Sequence, residues 1–373
     1  MGKTLILYAS AGAGHKSAAF AIKEFLNEFY PKETVVIEDI LSFSNWSFKK
    51  LYTSGYLSLV KSSEHLWGYI YDLSDKELSK KEQKIRSLFN SINLYKYKKF
   101  FLKESPDKVI CTHFLPLERT ISLRDQTKIP SKIYCCITDY CVHFLWVKKE
   151  ADGYFTGNSE TLRELTYYGI PTHKISVTGI PISKKYLKKN NAAEIRKKLK
   201  ISNEIPTVLC MSGGFGVGPI EQILDSFSQN KQKTQVIVVC GHNEDMKKNI
   251  LRKRRKWKFP LKVLGFVNNV DELYDISDII ISKPGGLTTS EIMAKQKPLI
   301  IINPIPGQEE RNSDFLLEKG IAVKVHSPRD VSFKTQEILA DKKLYNRMVK
   351  MSKKYGKPNA AKDILKSIFK NER

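Results

Sequence analysis

The sequence predicts an α/β fold of two open parallel sheets, on three observations. Short apolar runs of strand length alternate with helix-forming segments along the chain, the pattern of parallel sheets flanked by helices. The alternation breaks once, at Gly179-Ile180-Pro181, where a polar, lysine-rich stretch follows before strands resume. Several strands run into glycine-rich turns that open helices, an arrangement that binds phosphate. A length of 373 residues fits two domains of roughly 150–200 residues each.

In the first half, strands are expected near Thr4, Thr34, Lys108, Lys132 and Gly153, with residues 174–178 closing the set. Residues 4–9 are too short for a signal-peptide core and run into a glycine loop, so they read as the first strand. After the linker, strands restart at Thr207, Gln235, Leu261, Ile279, Leu299 and Ala322. Tyr355-Gly356-Lys357-Pro358-Asn359 stops a helix and residues 360–369 start another. The expected division is a first domain over 1–182, a second over 183–355 and a closing helix over 356–373.

The loops carry the chemistry. Ser282-Lys283-Pro284-Gly285-Gly286 follows the buried-strand run Asp278-Ile279-Ile280-Ile281 and leads into a helix from Thr288. Unpaired N–H groups and the positive helix end both face such a turn. Glu291 lies one turn inside that helix, where a carboxylate can take both hydroxyls of a ribose. Met211-Ser212-Gly213-Gly214-Phe215-Gly216-Val217-Gly218-Pro219 repeats the arrangement after the strand 207–211. Pro304-Ile305-Pro306-Gly307-Gln308-Glu309-Glu310-Arg311-Asn312, after the strand 298–302, reads as a proline-stiffened loop. It would deliver Gln308, Glu309 and Asn312 to the hydroxyls of a hexose. Two phosphate-type loops and one hydroxyl-reading loop in one half suggest a nucleotide-sugar site.

Composition narrows the partners. The six cysteines form no Cys-x-x-Cys pair, which disfavours zinc and redox chemistry. No apolar run approaches the ~18–20 residues that cross a bilayer, and a cytosolic protein is expected. The net charge of +24 favours an anionic surface, either acidic lipid or nucleic acid. Lysine dominates and no nucleic-acid-binding motif occurs, so lipid is the stronger reading. Residues 43–101 interleave lysines with aromatics that include Trp46, Phe48 and Trp67, a composition suited to the headgroup zone of a membrane. The alternative for this segment is an amphipathic helix pair packed on the sheet.

Near the N-terminus, Ser10-Ala11-Gly12-Ala13-Gly14 leads to His15 after the first strand. An imidazole near a helix N-terminus tends to stay neutral and able to accept a proton. His15 is therefore the candidate base, against the alternative that it caps the helix or binds a phosphate oxygen. Asp139, just past the strand 133–137, is a rival base or an orienting partner, and His113 and His143 are acceptor-site candidates. The chain has no Asp-x-Asp to hold magnesium, so helix N-termini are expected to stabilise a leaving diphosphate without a bound metal.

Taken together, Gly12-Ala13-Gly14-His15, Thr138-Asp139-Tyr140, Thr178-Gly179-Ile180-Pro181-Ile182, Gly265-Phe266-Val267, Lys283-Pro284-Gly285-Gly286 with Glu291, and the Pro-Gly-Gln-Glu loop resemble the diacylglycerol glycosyltransferases. That family includes bacterial processive glucosyltransferases and plant monogalactosyldiacylglycerol synthases, and the similarity runs from Lys3 to about Leu365. The resemblance implies a GT-B fold, two Rossmann-like domains facing across a cleft, with the last helix crossing back to the first. It implies an inverting, metal-independent transfer of hexose from UDP-glucose or UDP-galactose to diacylglycerol at the inner face of the cell membrane. His15 would be the catalytic base and Trp146 part of the acceptor region. Gly213, Gly214, Gly216, Gly285, Gly286, Thr288 and Thr289 would hold diphosphate, Phe266 and Val267 uracil, Glu291 ribose, and Gln308 and Glu309 the sugar. The rivals are a same-fold enzyme acting on a polyprenyl diphosphate lipid, a nonenzymatic UDP-sugar sensor and, more distantly, an epimerase.

Overall fold

The computed structural model describes residues 2–10, 12–52, 64–77, 79–213, 216, 218–229 and 233–370, and divides into two units. The first comprises Met1–Lys184, Ile305–Gln308 and Lys357–Arg373. Its elements run β1 (Lys3–Tyr8), α1 (Ala13–Phe29), β2 (Thr34–Asp39), α2 (Trp46–Lys50), α3 (Glu64–Ser74), α4 (Lys80–Asn93) and α5 (Tyr95–Glu104). There follow β3 (Lys108–Cys111), α6 (Phe114–Thr127), β4 (Lys132–Cys136), β5 (Gly153–Thr156), α7 (Ser159–Tyr167) and β6 (Ile175–Val177).

The second unit, Lys185–Pro304 with Glu309–Gly356, begins with α8 (Ala192–Leu199), β7 (Thr207–Met211), α9 (Ile220–Ser228), β8 (Gln235–Val239) and α10 (Glu244–Arg252). It continues through β9 (Leu261–Leu264), α11 (Val270–Ile276), β10 (Ile279–Ser282), α12 (Gly286–Ala294) and β11 (Leu299–Ile301). The remaining elements are α13 (Gln308–Glu318), β12 (Ala322–Lys324), α14 (Val331–Ala340) and α15 (Lys342–Tyr355); α16 (Ala360–Ile368) returns to the first unit. Every strand expected from the sequence is present.

Both sheets are parallel, which explains why their strands are apolar on both faces. Leu5, Leu7, Val109, Cys111, Ile133 and Cys135 pack to one side with Tyr97 and Phe101. The alternate residues Ile6, Ile110 and Cys136 pack to the other, against Ile22 and Leu26 of α1 and Ile364, Leu365 and Ile368 of α16. Gly179, at a φ of +96°, is required there, because a Cβ would collide with Lys357.

Strand order locates the candidate sites. The first sheet runs β2-β1-β3-β4-β5-β6 and the second β12-β11-β10-β7-β8-β9. Such a sheet opens a crevice at its carboxyl edge where the order reverses. In the first sheet that point lies between β1 and β3, where the His15 helix and Thr112-His113 begin. In the second it lies between β10 and β7, and both glycine loops expected to bind phosphate leave from it.

The aromatic segment divides between core and surface. Trp46 is 72% exposed, but Phe48 is only 3% exposed and packs with Tyr52 and the first-unit core. The expectation of a lipid contact at Phe48 is thereby corrected: it sits one helical face away from Trp46, on the side turned to the sheet. Trp67 is half-buried beside Tyr71.

Candidate active site

His15 lies in the first turn of α1, whose N-cap Gly12 supplies no side-chain cap. Its Nδ1 is 2.9 Å from the Thr112 carbonyl oxygen and 2.9 Å from Thr138 Oγ1. A carbonyl only accepts, so Nδ1 carries the proton and the Nε2 lone pair is left for chemistry. Thr112 Oγ1 also donates to the His15 carbonyl at 2.9 Å, so one threonine fixes both ring and backbone. Burial lowers the His15 pKa below the ordinary histidine value, while the charge of half-buried Asp139 works in the opposite direction. The ring is therefore neutral at rest and has a carboxylate nearby that favours the imidazolium once formed.

Behind His15 stand His113, edge-on at 4.6 Å, and Trp146 at 6.2 Å. Trp146 is 4% exposed and walls the site from within the core. The Nδ1 of His113 accepts from the Leu115 amide as the cap of α6, and burial pushes its pKa well down. The acceptor reading of His143 gives way to a structural one. Its Nδ1 accepts from the Leu145 amide within its own turn and its Nε2 lies 3.2 Å from the Tyr71 carbonyl, so the ring holds the 143–146 turn together and ties it to α3.

In the second unit, α12 begins at Gly286, and its N-cap Gly285 supplies no side-chain cap either. Its first N–H groups point into the turn with the positive end of the helix. Thr288, in the first turn of α12, is half-buried, and a Cβ at Gly285 would stand 3.8 Å from Glu309 Oε1. Thr289 is corrected: it is fully buried and its hydroxyl donates to the Gly285 and Gly286 carbonyls, which removes it from the diphosphate set. Gln308 and Glu309 open α13 and do not sit on an extended loop, and Asn312, one turn on, is fully buried. Gly213 and Gly216 take positive φ values of 70° and 63°, and a side chain at Gly216 would strike Asn243 and the Cys240 carbonyl. Gly214 lies outside the described residues. Phe266 is 53% exposed, stacked at 4.1 Å on His242, with half-buried Val267 beside it.

Glu291 is half-buried, and burial raises its carboxyl to about 7. The Tyr274 hydroxyl donates to Glu291 Oε2 at 3.3 Å, and Tyr186 also donates to this carboxylate. Sequence reasoning passed over both tyrosines, since Tyr186 sits in the lysine-rich linker and neither is near Glu291 in the chain.

An exposed apolar face completes the first unit. On α4, Ile85, Leu88, Phe89 and Ile92 are each at least half exposed and spaced as one helical stripe. Exposed Trp46 and Tyr95 carry Lys50 and Lys96 over their rings at 4.7 and 5.8 Å. No helix among the described residues is long and apolar enough to cross a membrane.

A family model described as monogalactosyldiacylglycerol (MGDG) synthase matches residues 15–182, and one described as glycosyl transferases group 1 matches residues 191–355. A processive diacylglycerol beta-glucosyltransferase of Bacillus cereus is 32% identical over 368 residues, covering 98% of this chain and 93% of the relative. A protein of the same description from Bacillus thuringiensis is 31% identical over the same shares. Among solved structures, MurG of Acinetobacter baumannii aligns with a TM-score of 0.66 at 12% identity, covering 99% of this chain and all of that one. MnaA of S. aureus, solved with UDP, aligns with a TM-score of 0.66 at 14% identity, covering 99% and 96%. These likenesses show the GT-B fold.

Proposed function

The chain belongs to the family of processive diacylglycerol β-glucosyltransferases and is a glycosyltransferase; from that premise we propose that it moves glucose from UDP-glucose to the sn-3 hydroxyl of 1,2-diacylglycerol. The transfer inverts the anomeric centre to give a β-glucoside, and the product is itself an acceptor for further rounds. One observation carries the reading: a neutral imidazole whose Nδ1–H is bonded to Thr112 and whose Nε2 is an acceptor.

His15 Nε2 removes the proton from the acceptor hydroxyl as its oxygen attacks the anomeric carbon. The bond to the diphosphate breaks on the opposite face, and UDP leaves with the electron pair. Asp139 stabilises the imidazolium. The N–H groups at the start of α12 and the Gly213–Gly216 turn receive the diphosphate charge without a bound metal. Glu291 takes the ribose hydroxyls, Phe266 and Val267 the uracil, and Gln308 and Glu309 the hexose.

The α4 stripe with Trp46 and the lysines around it supports a position for the enzyme on the anionic inner face of the cell membrane, where a lipid acceptor would reside. Rings and aliphatic side chains enter the headgroup zone while ammonium groups meet lipid phosphate.

The test is His15→Ala, with transfer and UDP binding measured side by side. Loss of general base catalysis predicts a fall of about 10²–10⁴-fold in kcat with UDP affinity retained. Near-normal turnover in the variant would overturn His15 as the base, whereas UDP binding without any transfer by the wild-type protein would make the UDP-sugar sensor the better reading.

A further inference from the structure

We propose that Tyr186 and Tyr274 are positioning residues of the donor site, holding the Glu291 carboxylate ready for the ribose hydroxyls of a nucleoside diphosphate sugar. The inference rests on the reading of Glu291 as the ribose ligand and adds what makes that ligand competent.

Both tyrosines are buried, at 6% and 1% exposure, and their rings stand 6.0 Å apart. A buried phenol needs a partner, and here both converge on one carboxylate. Two carboxylate oxygens offer about four lone-pair directions. Two phenol donors leave room for the two hydroxyls of a ribose and fix how the carboxylate is turned. Without them, Glu291 would present a half-buried charge free to rotate.

The supports are themselves pinned. Tyr186 belongs to the turn Lys184–Leu187, and Lys185 in that turn donates to the Asn268 carbonyl at 2.6 Å and pairs with Asp271 at 3.8 Å. Asn190 donates to Asp271 at 3.0 Å and to Asp275 at 2.9 Å, and Lys295 donates to the Lys188 carbonyl. The charged and titratable groups facing Glu291 are thus Tyr186 and Lys185 from the turn, and Tyr274 and Asp271 from α11. The two phenols and Lys185 favour the carboxylate; burial and Asp271 oppose it. Tyr186 thus reaches the ribose ligand from the segment that opens the second unit.

Tyr186→Phe and Tyr274→Phe remove one oxygen each and keep the ring packing. UDP affinity would be titrated by calorimetry across neutral pH for both variants, for the double variant and for Glu291→Gln, beside steady-state kinetics with UDP-glucose. Each phenylalanine variant is expected to weaken UDP binding roughly 3–10-fold, and the double variant more. KM should rise more than kcat falls. The acid limb of UDP affinity should move to higher pH, because two donors that favour the carboxylate are lost. A role in packing alone would lower thermal stability without moving that limb. Glu291→Gln should bind weakly with no such limb. If the phenylalanine variants match wild type in affinity and limb while Glu291→Gln binds weakly, the positioning role is overturned and the ribose reading stands. If Glu291→Gln binds UDP as wild type does, the ribose reading itself fails.

Discussion

Burial lowers the pKa of His15 but raises that of Glu291 to about 7, and in the proposed mechanism the two changes act on different steps. As pH falls below 7, Glu291 gains a proton and accepts less well from ribose, while His15 is still neutral. KM for the UDP-sugar should therefore rise through this range before kcat begins to fall. A pH series of both constants checks it, and a simultaneous fall would contradict the assignment. Stability follows the same carboxyl with a definite sign. Its folded pKa lies above the ordinary value of 4.5, so its contribution is fully present below about 4.5 and is lost as pH rises through 7. Glu291→Gln should then stabilise the fold at pH 8 by up to about 3 kcal/mol, at roughly 1.4 kcal/mol for each tenfold change in proton affinity, while weakening UDP binding. Denaturant titration at pH 4 and pH 8 reads the difference, which should nearly vanish at the lower pH. His15 and Glu291 were legible in the sequence because each is close in the chain to a strand-glycine-helix signal. Thr112, Tyr186 and Tyr274 were not, because they meet their partners only through strand order and helix packing.

The glycine loops and strands were readable as elements because parallel strands buried on both faces leave continuous apolar runs. Helix faces were harder. Phe48 and Trp46 are two residues apart, yet one enters the core and the other meets solvent, and composition alone does not choose between them. Thr289 likewise looked like a phosphate ligand until the turn of α12 directed its hydroxyl back to the chain. The proposed membrane face, with Phe48 removed from it, gives a paired prediction. Replacing Trp46, Ile85, Leu88 and Ile92 with serine should remove salt-resistant vesicle binding and change the melting temperature little, since all four are exposed. Phe48→Ala should do the reverse, lowering stability by about 3–5 kcal/mol. Vesicle sedimentation and thermal melts of the two variants separate the roles.

Over the whole molecule, the excess of 63 basic over 39 acidic residues would add to the proposed membrane contact a long-range attraction that the apolar stripe alone lacks. Binding should be stronger to phosphatidylglycerol vesicles than to neutral ones, each engaged lysine contributing roughly 1 kcal/mol. It should weaken but persist as salt shortens the screening length to about 3 Å near 1 M. Sedimentation against salt is the check; equal binding to neutral vesicles would remove any role for the charge. The fold class was legible at this scale because two sets of alternating elements flank one break in the pattern. The donor sugar was not, since glucose and galactose differ at one hydroxyl and no residue spacing records that. The most direct test of the proposed reaction is therefore to incubate the protein with separately labelled UDP-glucose, UDP-galactose and UDP-N-acetylglucosamine over diacylglycerol vesicles, then determine the lipid product and its anomeric configuration. The expected product is a β-glucosyl diacylglycerol from UDP-glucose, with longer glucosyl chains at later times. A labelled product formed only when a polyprenyl diphosphate lipid replaces diacylglycerol, or an α-linked glycolipid, would contradict the proposed reaction.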